Sequence, residues 1–225
     1  MLASPMLSLP RLVGTFTITM MLLAGGYAAA EDWTLRGGAA WIDPSIDTAG
    51  IDFDSDGDLG FQASIERRFS PLLGVEIGAL HGESSFSYES DVLTDVRFRQ
   101  ESEFDLTALT AGLNFHLKPG RNVDLYFGPL LAYIDFGDIQ VTDQRLIDGV
   151  VDSELSTEGE STDEFAWGAQ IGADIGFSDG PWGLNLSAKY LDSSFDVSPK
   201  NIQDAPSTEI EFDPWILGMG FSYRF

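Results

Sequence analysis

Phe165-Ala166-Trp167-Gly168-Ala169-Gln170-Ile171-Gly172-Ala173-Asp174-Ile175-Gly176-Phe177 alternates with period two. Phe165, Trp167, Ala169, Ile171, Ala173, Ile175 and Phe177 share one parity; between them stand Ala166, Gly168, Gln170, Gly172, Asp174 and Gly176. Period two belongs to a strand, whose successive side chains leave opposite faces. The polarity then decides what kind of strand it is. A small soluble barrel turns its bulky residues inward. Here the continuous face is apolar and ends in aromatics, while the other face is small or polar, as a narrow crowded interior requires. An apolar face long enough to cross a band ~25 Å tall, with aromatic residues at both edges, is the pattern of a transmembrane barrel strand.

The pattern recurs along the chain. Apolar parity runs through 33–41, 59–69, 73–79, 109–117, 123–133, 182–190 and 215–225. With 165–177 as the sixth, these make eight strands, an even number as membrane barrels require. Pro129 falls inside the fifth and removes a ladder donor, so a local bulge is expected there. The connections alternate in length. Ser70-Pro71, 118–122 and 178–181 are short, whereas 43–58, 82–103, 137–163 and 192–209 are long. Short periplasmic turns and long extracellular loops follow the sidedness of such barrels, and both chain ends are then expected on the periplasmic side. The expected fold is all-β, an eight-stranded antiparallel up-and-down transmembrane β-barrel.

The start of the chain reads as a leader. Arg11 precedes an apolar run from Leu12 to Leu23, and Ala28-Ala29-Ala30 supplies small residues for cleavage. The run is too short to span ~30 Å of hydrocarbon as a helix. Two regions are therefore expected: a cleaved signal peptide over 1–30 and the barrel with acidic extracellular loops over 31–225. No later stretch is long and apolar enough for a membrane helix. Only helices and closed barrels satisfy the backbone inside lipid, so a membrane reading of this chain means a barrel.

Charge and cysteine content exclude other classes. The formal net charge is -24, and no Lys/Arg cluster offers a phosphate footprint, so nucleic acid is not an expected partner. Cysteine is absent, which excludes disulfides and Cys-based zinc sites. Asp52-Phe53-Asp54-Ser55-Asp56-Gly57 copies the first half of an EF-hand loop. Its twelfth position is Ala63, where a bidentate Glu is needed. The stretch 52–58 reads as a solvated acidic loop, with a looser Ca²⁺ loop site as the alternative; no metal site or cofactor is assigned. His81, Glu83 and Ser85 share a parity near the outer rim, but a triad needs mutual orientation that parity alone does not supply. No catalytic residue is assigned.

The chain's end carries a family resemblance. Phe212-Asp213-Pro214-Trp215-Ile216-Leu217 followed by Phe221-Ser222-Tyr223-Arg224-Phe225 resembles the ending of the OmpW family. Trp167 to Asp174 with Lys189-Tyr190-Leu191-Asp192 is similar to that family's sixth and seventh strands. The resemblance is close over roughly the last 60 residues and architectural elsewhere. It implies a Gram-negative outer membrane, outer-membrane lipids as surroundings, and a role in passage of small hydrophobic molecules that leave sideways into the membrane. Phe221, Tyr223 and Phe225 resemble the terminal signal read by the barrel-assembly machinery.

Parity also sorts the interior. Ile42, Leu80, Leu106, Leu130, Ile134, Phe136, Leu191, Phe212 and Ile216 fall on the inward face of the outer half. Glu66, Arg68, Glu76, Asn114, His116, Asp124, Lys189 and Arg224 fall inward below them. The expectation is an apolar upper funnel over a polar plug, which admits a greasy solute and blocks water. The alternative is a structural or surface-interaction barrel whose interior side chains simply fill it.

Overall fold

The computed structural model describes residues 33–48, 51–52, 54–93, 96–117, 122–147, 150–177, 180–200 and 207–225. The leader expected over 1–30 lies outside the described residues. Eight long strands form the wall: β1 (Trp33–Asp43), β2 (Asp58–Ser70), β3 (Leu73–Leu93), β4 (Val96–His116), β5 (Val123–Phe136), β6 (Glu164–Gly176), β7 (Trp182–Pro199) and β8 (Trp215–Arg224). Each pairs antiparallel with the next, and β8 returns to β1 along Thr34↔Arg224 to Asp43↔Trp215. The ends are tied by Trp33 N–H to Phe225 O at 3.2 Å and Phe225 N–H to Trp33 O at 3.0 Å.

The register sets the barrel's width. From Gly37, successive partners in one direction are Ala63, Ala79, Leu109, Tyr133 and Phe165. In the other direction they are Phe221, Leu184 and Ile175. Both routes reach β6, ten residues apart. That stagger on eight strands tilts them by about 40° and leaves an interior just wide enough for side chains. The stagger is even, so every strand keeps the same parity inward after a full circuit.

Burial follows the sequence parity. Phe165, Trp167 and Ile171 are exposed while Ala166, Gln170 and Asp174 are buried. Phe165 is 81% exposed, Phe61 74% and Leu59 70%, and they belong to one continuous belt. Water would not tolerate a belt of that size, and lipid covers it. Aromatic rings gather at both edges. Trp182 meets Tyr223 at 4.8 Å near the turns, while Tyr133 meets Phe165 at 5.1 Å and Tyr190 meets Trp215 at 5.3 Å at the opposite edge. Their amphipathic rings suit the headgroup level.

Two expectations need correction. Pro129 makes no bulge: β4 and β5 keep one register from Leu106↔Phe136 to His116↔Tyr126, and only the rungs at Leu113 and Asn114 are missing. The proline drops rungs instead of inserting a residue, and the adjacent Gly128 lets the β4 backbone press in. A Cβ there would collide with the carbonyl of Leu113. Second, the long connections are largely strands. β3 and β4 run on as a hairpin to Leu93↔Val96, and Ile139–Ile147 pairs with both β4 and Val150–Ser161. The sequence signal fades beyond Phe86 and before Ser102 because no buried parity remains there, so alternation of polarity is no longer needed.

Arg at Ala79, mid-band and lipid-facing, is expected to lower barrel stability by about 2–4 kcal/mol. Arg at Ser87, on the same strand above the lipid, should change it by less than about 0.5 kcal/mol. Denaturant unfolding in lipid vesicles measures both; equal effects would mean that the membrane band is misplaced.

Candidate functional site

The interior divides into a charged floor and an apolar core. Arg36 is the centre of the floor. It was not singled out from sequence, although it shares the inward parity of β1 between Leu35 and Gly37. Its guanidinium reaches three carboxylates from three strands: Glu66 Oε2, Glu76 Oε2 and Asp174 Oδ2, each at 2.8 Å. It also stacks over the Tyr126 ring at 4.5 Å. A planar fork with five donors suits this task, which a lysine's point charge does not.

The lower polar residues expected inward join the same network. His116 sits between Glu66 Oε1 at 2.7 Å from Nε2 and Asp124 Oδ1 at 3.1 Å from Nδ1. Both ring nitrogens thus face acceptors, an arrangement that a doubly protonated ring satisfies. Arg68 pairs with Asp124 and with Glu66, and Arg224 approaches Asp124 at 3.4 Å. Asn114 donates to Glu66 and Glu76, Gln170 donates to Asn114 at 2.7 Å, and Asn185 donates to Asp174 at 2.9 Å. Four buried carboxylates therefore face three guanidiniums and one imidazole. Lys189 stands higher and donates to Gln62 at 3.0 Å. Between it and Arg36 lies a cavity of about 10 Å³, room for one water. The floor is closed by side chains.

Above it, Ile42, Leu80, Leu106, Leu130, Ile134, Phe136, Leu191, Phe212 and Ile216 are buried in one apolar cluster. Their inward placement agrees with the parity reading. The expected funnel shape does not: the cluster is packed shut. Phe104 contacts the rings of Phe86, Phe136, Phe195 and Phe212 with centroids 5.7–6.2 Å apart. Phe136 stacks on Phe195 at 4.2 Å. Phe86, Phe104 and Phe195 lie in segments assigned to loops from sequence or at their margins. Their signal was the inward parity continuing through Ser84-Ser85-Phe86, Phe104-Asp105-Leu106 and Leu191-Asp192-Ser193-Ser194-Phe195.

The wall itself has a gap. β6 and β7 pair from Gly176↔Gly183 up to Trp167↔Asp192 and no further. Pairing resumes above at Ser161↔Val197. Between these rungs Thr162 N–H donates to Asp196 O at 3.2 Å and Asp196 N–H donates to Thr162 Oγ1 at 3.1 Å. A cleft of about 420 Å³ lies at this gap, lined by Phe165, Trp167, Asp192, Ser193, Ser194, Glu211 and Asp213. Ala166, Leu191 and Phe195 of the apolar core stand directly behind it on the inward parity. The Asp213-Pro214-Trp215 element frames it. Asp213 Oδ1 accepts the Ser193 N–H at 3.3 Å and Pro214 O accepts the Leu191 N–H at 3.2 Å.

The rim candidates His81 and Ser85 do not assemble. His81 Nδ1 meets Thr107 Oγ1 at 3.0 Å, while Ser85 donates to Asp58 at 3.1 Å. The side chains of 52–56, which carry the acidic loop and its Ca²⁺ alternative, lie outside the described residues. Among the described residues no His, Cys, Asp or Glu group has a metal-holding arrangement.

Comparison with known proteins agrees with this architecture. The outer membrane protein beta-barrel domain family matches residues 15–225. Outer membrane protein W of Vibrio cholerae is 26% identical over 209 residues, covering 86% of this chain and 88% of that protein. The crystal structure of OprG from Pseudomonas aeruginosa superposes with a TM-score of 0.58 at 19% identity, covering 87% of this chain and 96% of that one. The solid-state NMR structure of AlkL in lipid bilayers gives 0.56 at 20% identity, covering 89% and 95%. Those two likenesses are of fold.

Arg36→Met should destabilise the barrel by about 3–5 kcal/mol, because it takes the close guanidinium from the buried Glu76 and Asp174 and one partner from Glu66. Arg224→Met, at the half-open edge of the floor, should cost about 1 kcal/mol or less. Urea midpoints in vesicles compare them, and a mild effect at Arg36 would contradict its central role.

Proposed function

From its membership of the outer membrane protein β-barrel family, which places the chain in the outer membrane, we propose an OmpW-like conduit for small hydrophobic molecules with its outlet in the wall. One observation carries this reading: the gap between β6 and β7 lies at the outer aromatic edge, with the apolar core behind it. A greasy solute reaching that core meets the charged floor below. Desolvating the floor's ions for an apolar guest costs several kcal/mol per ion, so the sideways route into lipid is the easier one. Passage requires Phe104 and its ring partners to move, since the core is packed in this conformation. Ile42, Leu80, Leu106, Leu130, Ile134, Phe136, Leu191, Phe212 and Ile216 then line the path. The leader over 1–30 directs export, and the outward aromatics Phe221, Tyr223 and Phe225 of β8 serve assembly.

The packed ring cluster favours a second reading, a structural or surface-interaction barrel with a permanently closed interior.

Phe104→Ala should speed entry of a small apolar solute into protein-loaded vesicles severalfold. Bridging the gap should slow it: the chain has no cysteine, so Phe165→Cys with Ser194→Cys can be joined by a short bis-maleimide. Faster entry in the first variant and slower entry in the second support the conduit. No change in either leaves the closed barrel as the better account. Separately, removal of Phe225 should reduce outer-membrane yield and the heat-modifiable form on gels; unchanged yield would remove the assembly role.

A further inference from the structure

Two hydrogen-bonding atoms inside the barrel are left without a partner among the described residues, Ser84 Oγ and Gln170 Oε1. Ser84 is 1% exposed and Gln170 4%. Both stand on the inward parity, at opposite ends of the apolar core. Ser84, on β3 between Leu80 and Phe86, is the cross-strand partner of Phe104, on which the ring cluster converges. Gln170, on β6 between Ala166 and Asp174, lies where the core meets the floor. A Cβ on Gly112 would stand 2.7 Å from Gln170 Nε2 and 3.3 Å from Leu130 Cδ1, so the amide lies beside a core side chain. The floor fixes which end of that amide is free. Asn114 Nδ2 donates to Glu66 and Glu76 at 3.1 and 3.2 Å, which leaves Asn114 Oδ1 as an acceptor. Gln170 Nε2 donates to it at 2.7 Å. Turning the Gln170 amide over would set two carbonyl oxygens against each other, so Oε1 is the free end, directed away from Asn114. The water-sized cavity beside Lys189 is lined by neither Gln170 nor Ser84. A buried polar atom left unpaired forfeits its hydration without return. The interior holds one at each end of an otherwise apolar path.

We infer that the path takes hydrophobic molecules that carry a hydroxyl group, with Ser84 and Gln170 as two successive hydrogen-bonding stations. The inference rests on the conduit reading and names the class of molecule that the core selects. Gln170 Oε1 only accepts, so its ligand must donate, whereas Ser84 Oγ donates or accepts. A hydroxyl serves both atoms. An ether or ketone accepts at Ser84 and leaves Gln170 unserved, and a hydrocarbon serves neither. A cation meets the ammonium of Lys189, the cross-strand partner of Gln170, and an anion meets a carbonyl oxygen that cannot donate to it. A site with a polar atom to satisfy rejects the analogue lacking the hydroxyl far more sharply than an apolar pocket sorts molecules by size. The stations also fall on the route. Displacing the Phe104 ring brings a solute against Ser84 at the top of the core. From Gln170, Ala166 stands four residues up the same face of β6, behind the wall gap.

The test uses the full chain and two probes of one shape, 4-butylphenol and 4-butyltoluene, in which a methyl group replaces the hydroxyl. Binding is read by equilibrium dialysis against phosphatidylcholine nanodiscs, with empty nanodiscs subtracted, and protein-dependent entry is read in vesicles. The phenol should bind about tenfold more tightly than the toluene. Gln170→Leu should bring the ratio close to one, and Ser84→Ala should lower it about threefold. Ser84→Ala should also raise the urea midpoint, because the core then holds no unpaired hydroxyl. A lowered midpoint would mean that the hydroxyl has a partner, and Ser84 would cease to be a station. If Gln170→Leu fails to give the heat-modifiable folded form, Ser84→Ala decides alone. A wild-type ratio near one, or a ratio unmoved by these substitutions, overturns hydroxyl selection. If 4-butyltoluene still shows protein-dependent entry in that case, the conduit stands without it. If neither probe does, both readings fall together.

Discussion

Inside hydrocarbon there is no water to take a backbone N–H or C=O, and every such group must find a partner within the protein. For a chain without a long apolar helix, only a closed sheet meets that demand. The bond from Trp33 to Phe225, end of the first strand to end of the last, is where this chain meets it. The remaining architecture is a consequence. Eight strands staggered by ten residues give a cylinder too narrow for a water column. The interior must then be filled by side chains, and the outward parity must be apolar. Glycines such as Gly128 stand where neighbouring backbones approach too closely for a Cβ.

Filling a narrow interior with both ions and hydrocarbon forces a division. Charges in a low-dielectric space are tolerable only when each has partners, because desolvation rivals the attraction between them. The floor achieves this by converging on Arg36, whose donors are shared among Glu66, Glu76 and Asp174, and on His116 between Glu66 and Asp124. All eight strands send a residue into or beside this network, so it also fixes their relative rotation. The apolar half has no such directional demand. It is held by ring contacts around Phe104, which are weaker and more easily rearranged. The rigid half of the barrel thus lies below and the deformable half above, next to the wall gap.

The gap is the one place where the closure rule is relaxed among the described residues of the β6–β7 seam. It lies at the outer edge of the apolar band, where headgroups and water can serve unpaired backbone. Lower down, the same missing rungs would face hydrocarbon. Position therefore makes the gap affordable, and the same position gives it access to both the apolar core and the outer leaflet.

Sequence alone determined a great deal here, for a physical reason. Lipid outside and a crowded interior impose opposite polarities on alternate residues, so parity reports the side of the wall. The eight strands, their facing and the inward placement of Leu80, Ile216 and Glu66 were legible on that basis. Parity also marked Arg36, yet it says nothing about which inward residues meet across the lumen. Those meetings depend on the stagger, a sum over eight registers that no single segment encodes. The extension of β3 and β4 was hidden because its tip, beyond Phe86 and before Ser102, has no buried parity, and polar residues stand between the inward rings lower down. The packing of Phe86, Phe104 and Phe195 over the expected funnel was hidden with it. The gap was hidden too, since Phe165 to Trp167 reads as unbroken strand and its missing rungs depend on where β7 runs. Local polarity is written residue by residue; closure, convergence and interruption are properties of the assembled sheet.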